Sequence, residues 1–242
     1  MLALPRTADL PEVVALAGDS LAHGEPVLIF DAADREGETD LVFLSERATP
    51  EMIRLQRREA GGLICTALSE GLRARLNLPF YSELLAVGAT QYPILGGLRQ
   101  QRLRYDTRSA FGVTVNHRSN FTGVPDNDRA TTVRAVGELA RDAPQLSDPQ
   151  LAARFLDQFT SPGHLPLLYS APGLLRERKG HTELAISLAQ MAGLSESVTV
   201  CEMLGDSGGA RSPEAARRFA DQHGWVFLEG RSIAEAWLAW SG

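Results

Sequence analysis

Four carboxylates and one guanidinium fall within seven residues, Asp34-Arg35-Glu36-Gly37-Glu38-Thr39-Asp40. Like charges this close raise at least one pKa unless a cation compensates. A hard divalent ion with oxygen ligands would do so, and Arg35 could hold a phosphate or order the carboxylates. A solvated turn between two strands is the competing reading of the same run. Three shorter stretches add other groups. Ser161-Pro162-Gly163-His164 places a histidine after a Pro-Gly pair, a pattern expected of a loop. In Arg178-Lys179-Gly180-His181-Thr182-Glu183, Thr182 is expected to cap a helix. A helix N-terminus flanked by Arg178, Lys179 and Thr182 would suit a phosphate, and His181 adds an imidazole ligand for a metal. The plain alternative is a polar cap with flanking charge. Finally, Val200-Cys201-Glu202-Met203 sets a carboxylate at the end of an apolar run, where it can face a pocket and transfer protons.

The elements that must position these groups are partly legible. A helix is expected from Pro11 to Ala22, stopped by Gly24, followed by a buried strand over Pro26–Phe30. The acidic run then leads to a second strand, Leu41–Leu44. Thr49-Pro50 opens a helix that Gly61-Gly62 closes, and Leu63–Ala67 reads as a strand. Residues 71–110 give no clear pattern. Beyond them lie a strand over Phe111–Asn116, a loop over Asn120–Asp128 and a helix over Arg129–Leu139, with Val133, Val136 and Leu139 facing inward. A surface connection over Asp142–Asp148, helical patterns over Leu151–Phe159 and Glu183–Met191, and a strand over Val198–Glu202 follow. Ser212-Pro213 starts another helix, Trp225–Leu228 is a strand, and Ser232 with Glu235 forms a capping box for the last helix. The irregular alternation predicts α+β: a single domain over 1–242, with a mixed twisted sheet and helices in a three-layer arrangement.

Composition narrows the function. The formal charge is −6, which argues against nucleic acid as a partner, since phosphate backbones need a concentrated basic face. No apolar run approaches the length of a membrane helix, and residues 1–13 lack the pattern of a secretory signal. Cys65 and Cys201 stand far apart and form no Cys-x-x-Cys pair, so a zinc ribbon is excluded and a reduced, cytoplasmic setting is expected. Lys179 is the only lysine, so any Schiff-base chemistry would have to use it.

Taken in order, the stretches DAADREGETDLVF, GGLICTAL, VNHRSNFTGVPDNDRATTVRAV, SPGHLPLL, ERKGHTE and VCEMLGDSGG resemble the 3,4-dihydroxy-2-butanone 4-phosphate synthase family of riboflavin biosynthesis. The likeness covers nearly the whole chain. It includes the spacings of 17 residues from His164 to His181 and 21 from His181 to Glu202. The form is similar to the shorter, archaeal-type branch. The resemblance implies two divalent ions per site, magnesium or manganese, held by Glu36 and His181. It implies substrate contacts at Arg35, Glu36, Asp40, Arg178, Lys179, Gly180, His181, Thr182 and Glu202. His164, Glu202, Cys65 and Glu38 match positions needed for catalysis, and Thr122, Asp128 and Thr132 match a segment near the phosphate end. Two departures stand out: Thr39 replaces a usual glycine, which puts the local loop conformation in question, and Ser161 replaces an arginine of bacterial forms.

The implied reaction is a lyase step that turns ribulose 5-phosphate into 3,4-dihydroxy-2-butanone 4-phosphate and formate. A homodimer with sites at the subunit boundary is implied, with no nucleic-acid or membrane partner. Two other functions fit the same residues: a metal-dependent phosphosugar isomerase or epimerase, and a non-catalytic phosphosugar-binding homologue. Glu36 and His181 are both expected in loops.

Overall fold

The computed structural model describes residues 10–98, 106 and 108–242. Residues 1–9, part of the stretch that lacks the pattern of a secretory signal, and part of 71–110, which gives no clear pattern, lie outside them. The chain opens with α1 (Glu12–His23), which follows Pro11 and ends at Gly24 in the left-handed conformation. Strands β1 (Val27–Phe30) and β2 (Thr39–Leu44) are almost wholly buried. Thr49 caps α2 (Pro50–Leu55), its hydroxyl accepting from Met52 N, and a π-helical turn carries the chain on to Gly61. Then come β3 (Cys65–Leu68), α3 (Glu70–Leu76), α4 (Tyr81–Gly88) and α5 (Pro93–Leu98). The second half runs β4 (Phe111–His117), α6 (Asp126–Asp142), α7 (Asp148–Gln158), β5 (Phe159–Tyr169), α8 (His181–Met191) and β6 (Ser197–Glu202). It closes with α9 (Pro213–His223), β7 (Val226–Glu229) and α10 (Gly230–Trp240).

The strands form one seven-stranded sheet in the order β4-β5-β3-β6-β2-β1-β7. The β1–β7 and β3–β5 pairs are parallel and the rest antiparallel, so the sheet is mixed. Successive side chains on a strand point to opposite faces. Leu28, Leu41 and Phe43 therefore join a core under α2, α6, α7 and α9, while Val27, Ile29, Val42 and Leu44 join a second core under α1, α8 and α10. Helices on both faces give the three layers expected. α8 is buried along nearly its whole length, because it lies on the sheet and beneath α1 and α10.

Local readings fail where tertiary contacts choose the boundary. The last helix starts at Gly230 rather than after a cap at Ser232. A Cβ at Gly230 would lie 2.6 Å from Asp31 O, so the chain leaves β7 and enters the helix in direct contact with the end of β1. Likewise α8 begins at His181 with Gly180 in the cap position, and Thr182 is a buried helical residue rather than the cap. His181 is thus not in a loop. Thr39 is no loop residue either: it opens β2 opposite Phe30, an extended position that suits a β-branched side chain. The left-handed turn of the acidic run falls on Gly37 instead.

Candidate active site

Strand order brings the chemistry together. Asp40, near the start of β2, pairs with Glu202 at the end of β6, and Cys65, at the start of β3, pairs with Val200. One end of four adjacent strands therefore presents Cys65, Glu202, Asp40 and the 31–38 loop side by side. The N-terminus of α8 adds His181. Glu36, Glu38, Asp40, Cys65, His181 and Glu202 all line one cavity of about 470 Å³, with Arg35, Arg178 and Thr182.

The acidic loop is pinned rather than splayed. Asp31, buried at the end of β1, accepts from Glu36 N at 3.0 Å and Glu38 N at 3.1 Å. Those two bonds fold the loop back so that Glu36 and Glu38 project toward α8. His181 Nδ1 lies 3.5 Å from Glu36 Oε2, while its Nε2 lies 3.7 Å from Asp40 Oδ1 and 3.2 Å from Glu38 O. The imidazole thus bridges two carboxylates that the chain alone would leave to repel each other.

Burial and neighbouring charge in this confined space shift the proton affinities. Burial pushes Asp40 up to about 8, and Glu202, Glu36 and Glu38 add to the rise against the pull of His181. Burial also opposes a charge on His181, but Asp40, Glu36 and Asp31 outweigh it and raise the imidazole to about 9. The hydrogen bond to His181 holds Glu36 below the ordinary carboxylate range. Burial and the neighbouring Glu36 and Glu202 raise Glu38. Burial pushes the Cys65 thiol well up, helped by Glu202 and Asp40, so it stays a protonated thiol rather than a thiolate.

The donor set suits a hard divalent cation. Ligand atoms of Asp31, Glu36 and His181 lie within 4.8 Å of one another. Among the described residues Asp40 Oδ1 is buried and accepts no hydrogen bond, an orphaned carboxyl oxygen of the kind that a cation satisfies. Carboxylate oxygens with one imidazole are the ligands expected for magnesium or manganese.

Glu202 is held from the opposite side. Its Oε2 accepts from Leu63 N at 2.8 Å, and its carbonyl accepts from Gly62 N at 3.0 Å. A Cβ at Gly62 would lie 2.8 Å from Glu202 Cβ, so only glycine lets the chain pass this close. Arg35 and Arg178 both donate to Asp106 Oδ2, Arg35 Nη2 at 3.4 Å. Asp106 was not singled out from the sequence, because it lies in the stretch without a pattern. Asp31 also went unnoticed, although a carboxylate directly after a buried strand is a usable signal.

The remaining sequence candidates lie elsewhere. Lys179 is exposed and lines a neighbouring cavity of about 770 Å³, separated from the first by Arg35 and Arg178. His164 is exposed and does not line the acidic cavity. Opposite Val115 and Asn116, β5 pairs through Leu165 and then Thr160, so residues 161–164 bulge from the sheet. His164 N donates to Asn116 Oδ1 at 2.9 Å, and Asn116 Nδ2 lies 3.4 Å from Thr122 O. Asp128 accepts from Thr122 N and Gly123 N, and Thr132 Oγ1 donates to Asp128 O. Thr122, Asp128, Thr132 and His164 thus form a second polar cluster around the bulge.

A model of the family described as 3,4-dihydroxy-2-butanone 4-phosphate synthase matches residues 16–236. The chain belongs to this family. A 3,4-dihydroxy-2-butanone 4-phosphate synthase of Methanosarcina mazei is 42% identical over 234 residues, 96% of this chain and 93% of that one. Among solved structures, the 3,4-dihydroxy-2-butanone 4-phosphate synthase of Candida albicans matches with a TM-score of 0.66 at 28% identity, covering 90% of this chain and 94% of that one. A further 3,4-dihydroxy-2-butanone 4-phosphate synthase structure, in complex with two magnesium ions, shares the fold with a TM-score of 0.69 at 23% identity, covering 90% and 92%. The family resemblance read from the motifs and the mixed, three-layer fold are both borne out. No helix among the described residues is long and apolar enough to cross a membrane.

Proposed function

We propose that the protein is a 3,4-dihydroxy-2-butanone 4-phosphate synthase of riboflavin biosynthesis, a lyase that converts ribulose 5-phosphate into 3,4-dihydroxy-2-butanone 4-phosphate and formate. The observation that carries this reading is the convergence of Glu36, Glu38, Asp40, Cys65, His181 and Glu202 on one cavity from separate stretches of chain. Glu36 and His181 would hold two magnesium or manganese ions, as the magnesium-bound relative suggests. When bound, these ions supply Lewis acidity to the oxygens of the ketose.

The protein groups do the rest. Arg35 and Arg178 bind the phosphate end, with Gly180 and Thr182 at the start of α8 and Lys179 at the rim. Glu38, Asp40, Cys65 and Glu202 hold and move protons. Burial raises the proton affinity of both Glu38 and Asp40, so each holds a proton more readily than an exposed carboxylate would. Glu202, fixed by Leu63 N, meets the cavity at a set position, which favours repeated transfer along one path.

His164 belongs to this reading through a partner. Its exposed bulge lies outside the acidic cavity, which supports a homodimer in which one subunit's His164, with Thr122, Asp128 and Thr132 beside it, completes the other subunit's site. Both cysteines are free, in keeping with a reduced cytoplasmic setting. The whole chain serves as one catalytic domain with no nucleic-acid or membrane partner.

The test is incubation with ribulose 5-phosphate and magnesium, with formate measured directly. Formate in step with ketose consumed, stopped by a chelator and restored by magnesium, is the expected result. Isomerised pentose phosphate without formate would replace this reading with an isomerase, and ligand binding without turnover would replace it with a binding homologue.

A further inference from the structure

Glu183 is the third residue of α8, and its side chain is shut off from solvent. One carboxylate oxygen accepts from Ala171 N at 2.8 Å and the other from Arg178 Nη1 at 2.5 Å. Arg178 Nε donates to Asp106. With Nε and Nη1 committed to two carboxylates, the guanidinium plane is fixed, and Nη2 is left without a protein acceptor among the described residues. A planar fork held on two edges offers its remaining edge to a planar or tetrahedral anion in one orientation.

Gly180 belongs to the same arrangement. Its backbone angles, φ −85° and ψ 170°, are open to any residue. Space is what demands glycine: a Cβ would lie 2.7 Å from Arg178 Cζ and 2.8 Å from its Nη2. The guanidinium lies directly against the Gly180 backbone, so any side chain there would push it away from Glu183.

We infer that Glu183 and Gly180 are positioning residues, which hold the Arg178 guanidinium with Nη2 free for the phosphate of the substrate. This rests on the reading of the cavity as a phosphosugar site. Glu183 has a competing role as a plain tie between α8 and the segment after β5, through Ala171 N. Glu183→Gln separates the two. It keeps the shape and a carbonyl oxygen for Ala171 N, and replaces the charged acceptor that holds Arg178 with an uncharged amide NH2.

The experiment measures kcat and KM for formate release, and the Kd for inorganic phosphate, in the wild type, E183Q, G180A, R178Q and the R178Q/E183Q double variant. E183Q and G180A should each raise KM and the phosphate Kd about tenfold with kcat within about threefold, the pattern of lost uniform binding. In the R178Q background, E183Q should add less than about twofold, because its effect runs through Arg178. A folded E183Q protein with unchanged KM and phosphate Kd would overturn the inference, as would a full tenfold effect in the R178Q background. The phosphate arm needs no turnover. Wild type that binds phosphate, weakened by E183Q, but releases no formate would support the positioning role while overturning the proposed reaction.

Discussion

The acidic cavity and the His164 bulge are built on opposite principles. In the cavity, like charges are forced together in a buried space. Backbone bonds to Asp31 and Glu202 fix them, and shared protons on Asp40 and His181 relieve them. In the bulge, all the polar groups but buried Thr132 are exposed or half-buried, and they satisfy one another through hydrogen bonds with a single carboxylate, Asp128, among them. A region that stores electrostatic tension has a ligand to gain from. A region already satisfied and facing solvent gains its purpose from what is brought to it. Under the function proposed above, the first region would carry the chemistry and the second would contribute in trans.

The largest effect expected is at the cavity. Glu36→Gln and His181→Asn should each lower formate turnover by about 10³-fold or more at saturating magnesium, since each removes a ligand and a charge partner. Circular dichroism should show the fold retained. Because His181 is buried at the start of α8 rather than in a loop, asparagine is the better probe than alanine. Near-normal turnover in either variant would dissolve the contrast, by making the charge cluster incidental.

Next in size is the bulge. His164→Ala should lower turnover by about 10²-fold as an isolated protein. Mixed with the Glu36→Gln variant and allowed to exchange subunits, it should regain about a quarter of wild-type activity, because half of the dimers then carry one site with both native groups. No regain on mixing, with exchange verified by native mass spectrometry, would return His164 to its own subunit's chemistry.

The smallest effect concerns stability rather than turnover. Cys201 points into the core beside the cavity, and burial pushes its thiol up to about 12 from an ordinary 9.0. The unfolded thiol ionises first, so this group's stabilisation is complete below pH 9 and is lost as pH climbs toward 12. Thermal midpoints of the wild type should therefore fall more steeply between pH 9 and 11 than those of Cys201→Ala. Parallel slopes would place the alkaline sensitivity elsewhere, with Cys65 on the other face of the sheet the next group to replace.

Legibility followed the range of the forces at work. Short buried strands such as Val27–Phe30 and helix starts such as Thr49-Pro50 were readable because their determinants lie within a few residues. Residues 81–98 were not, since α4 and α5 bury none of their side chains and so carry no core-facing stripe. The capping box at Ser232 misled, because the contact of Gly230 with Asp31 O sets the helix start earlier. β5 was missed where it carries the Ser161–His164 bulge, whose Pro-Gly chemistry is that of a turn.

For the site, the amino-acid sequence by itself determined the types and the order: an acidic run closed by Asp40, a Gly-His-Thr-Glu helix entry, and a glutamate ending an apolar strand. Which of these groups meet was decided only by the sheet. Strand order and register are long-range choices, set by how two apolar faces are covered. They placed Asp40 opposite Glu202 and brought His181 between Glu36 and Asp40. They also left His164 outside, though it stands nearer to His181 in the chain than Glu36 does. The two proton affinities near neutral pH belong to that assembly alone, because they arise from burial and neighbours that no local stretch of chain contains.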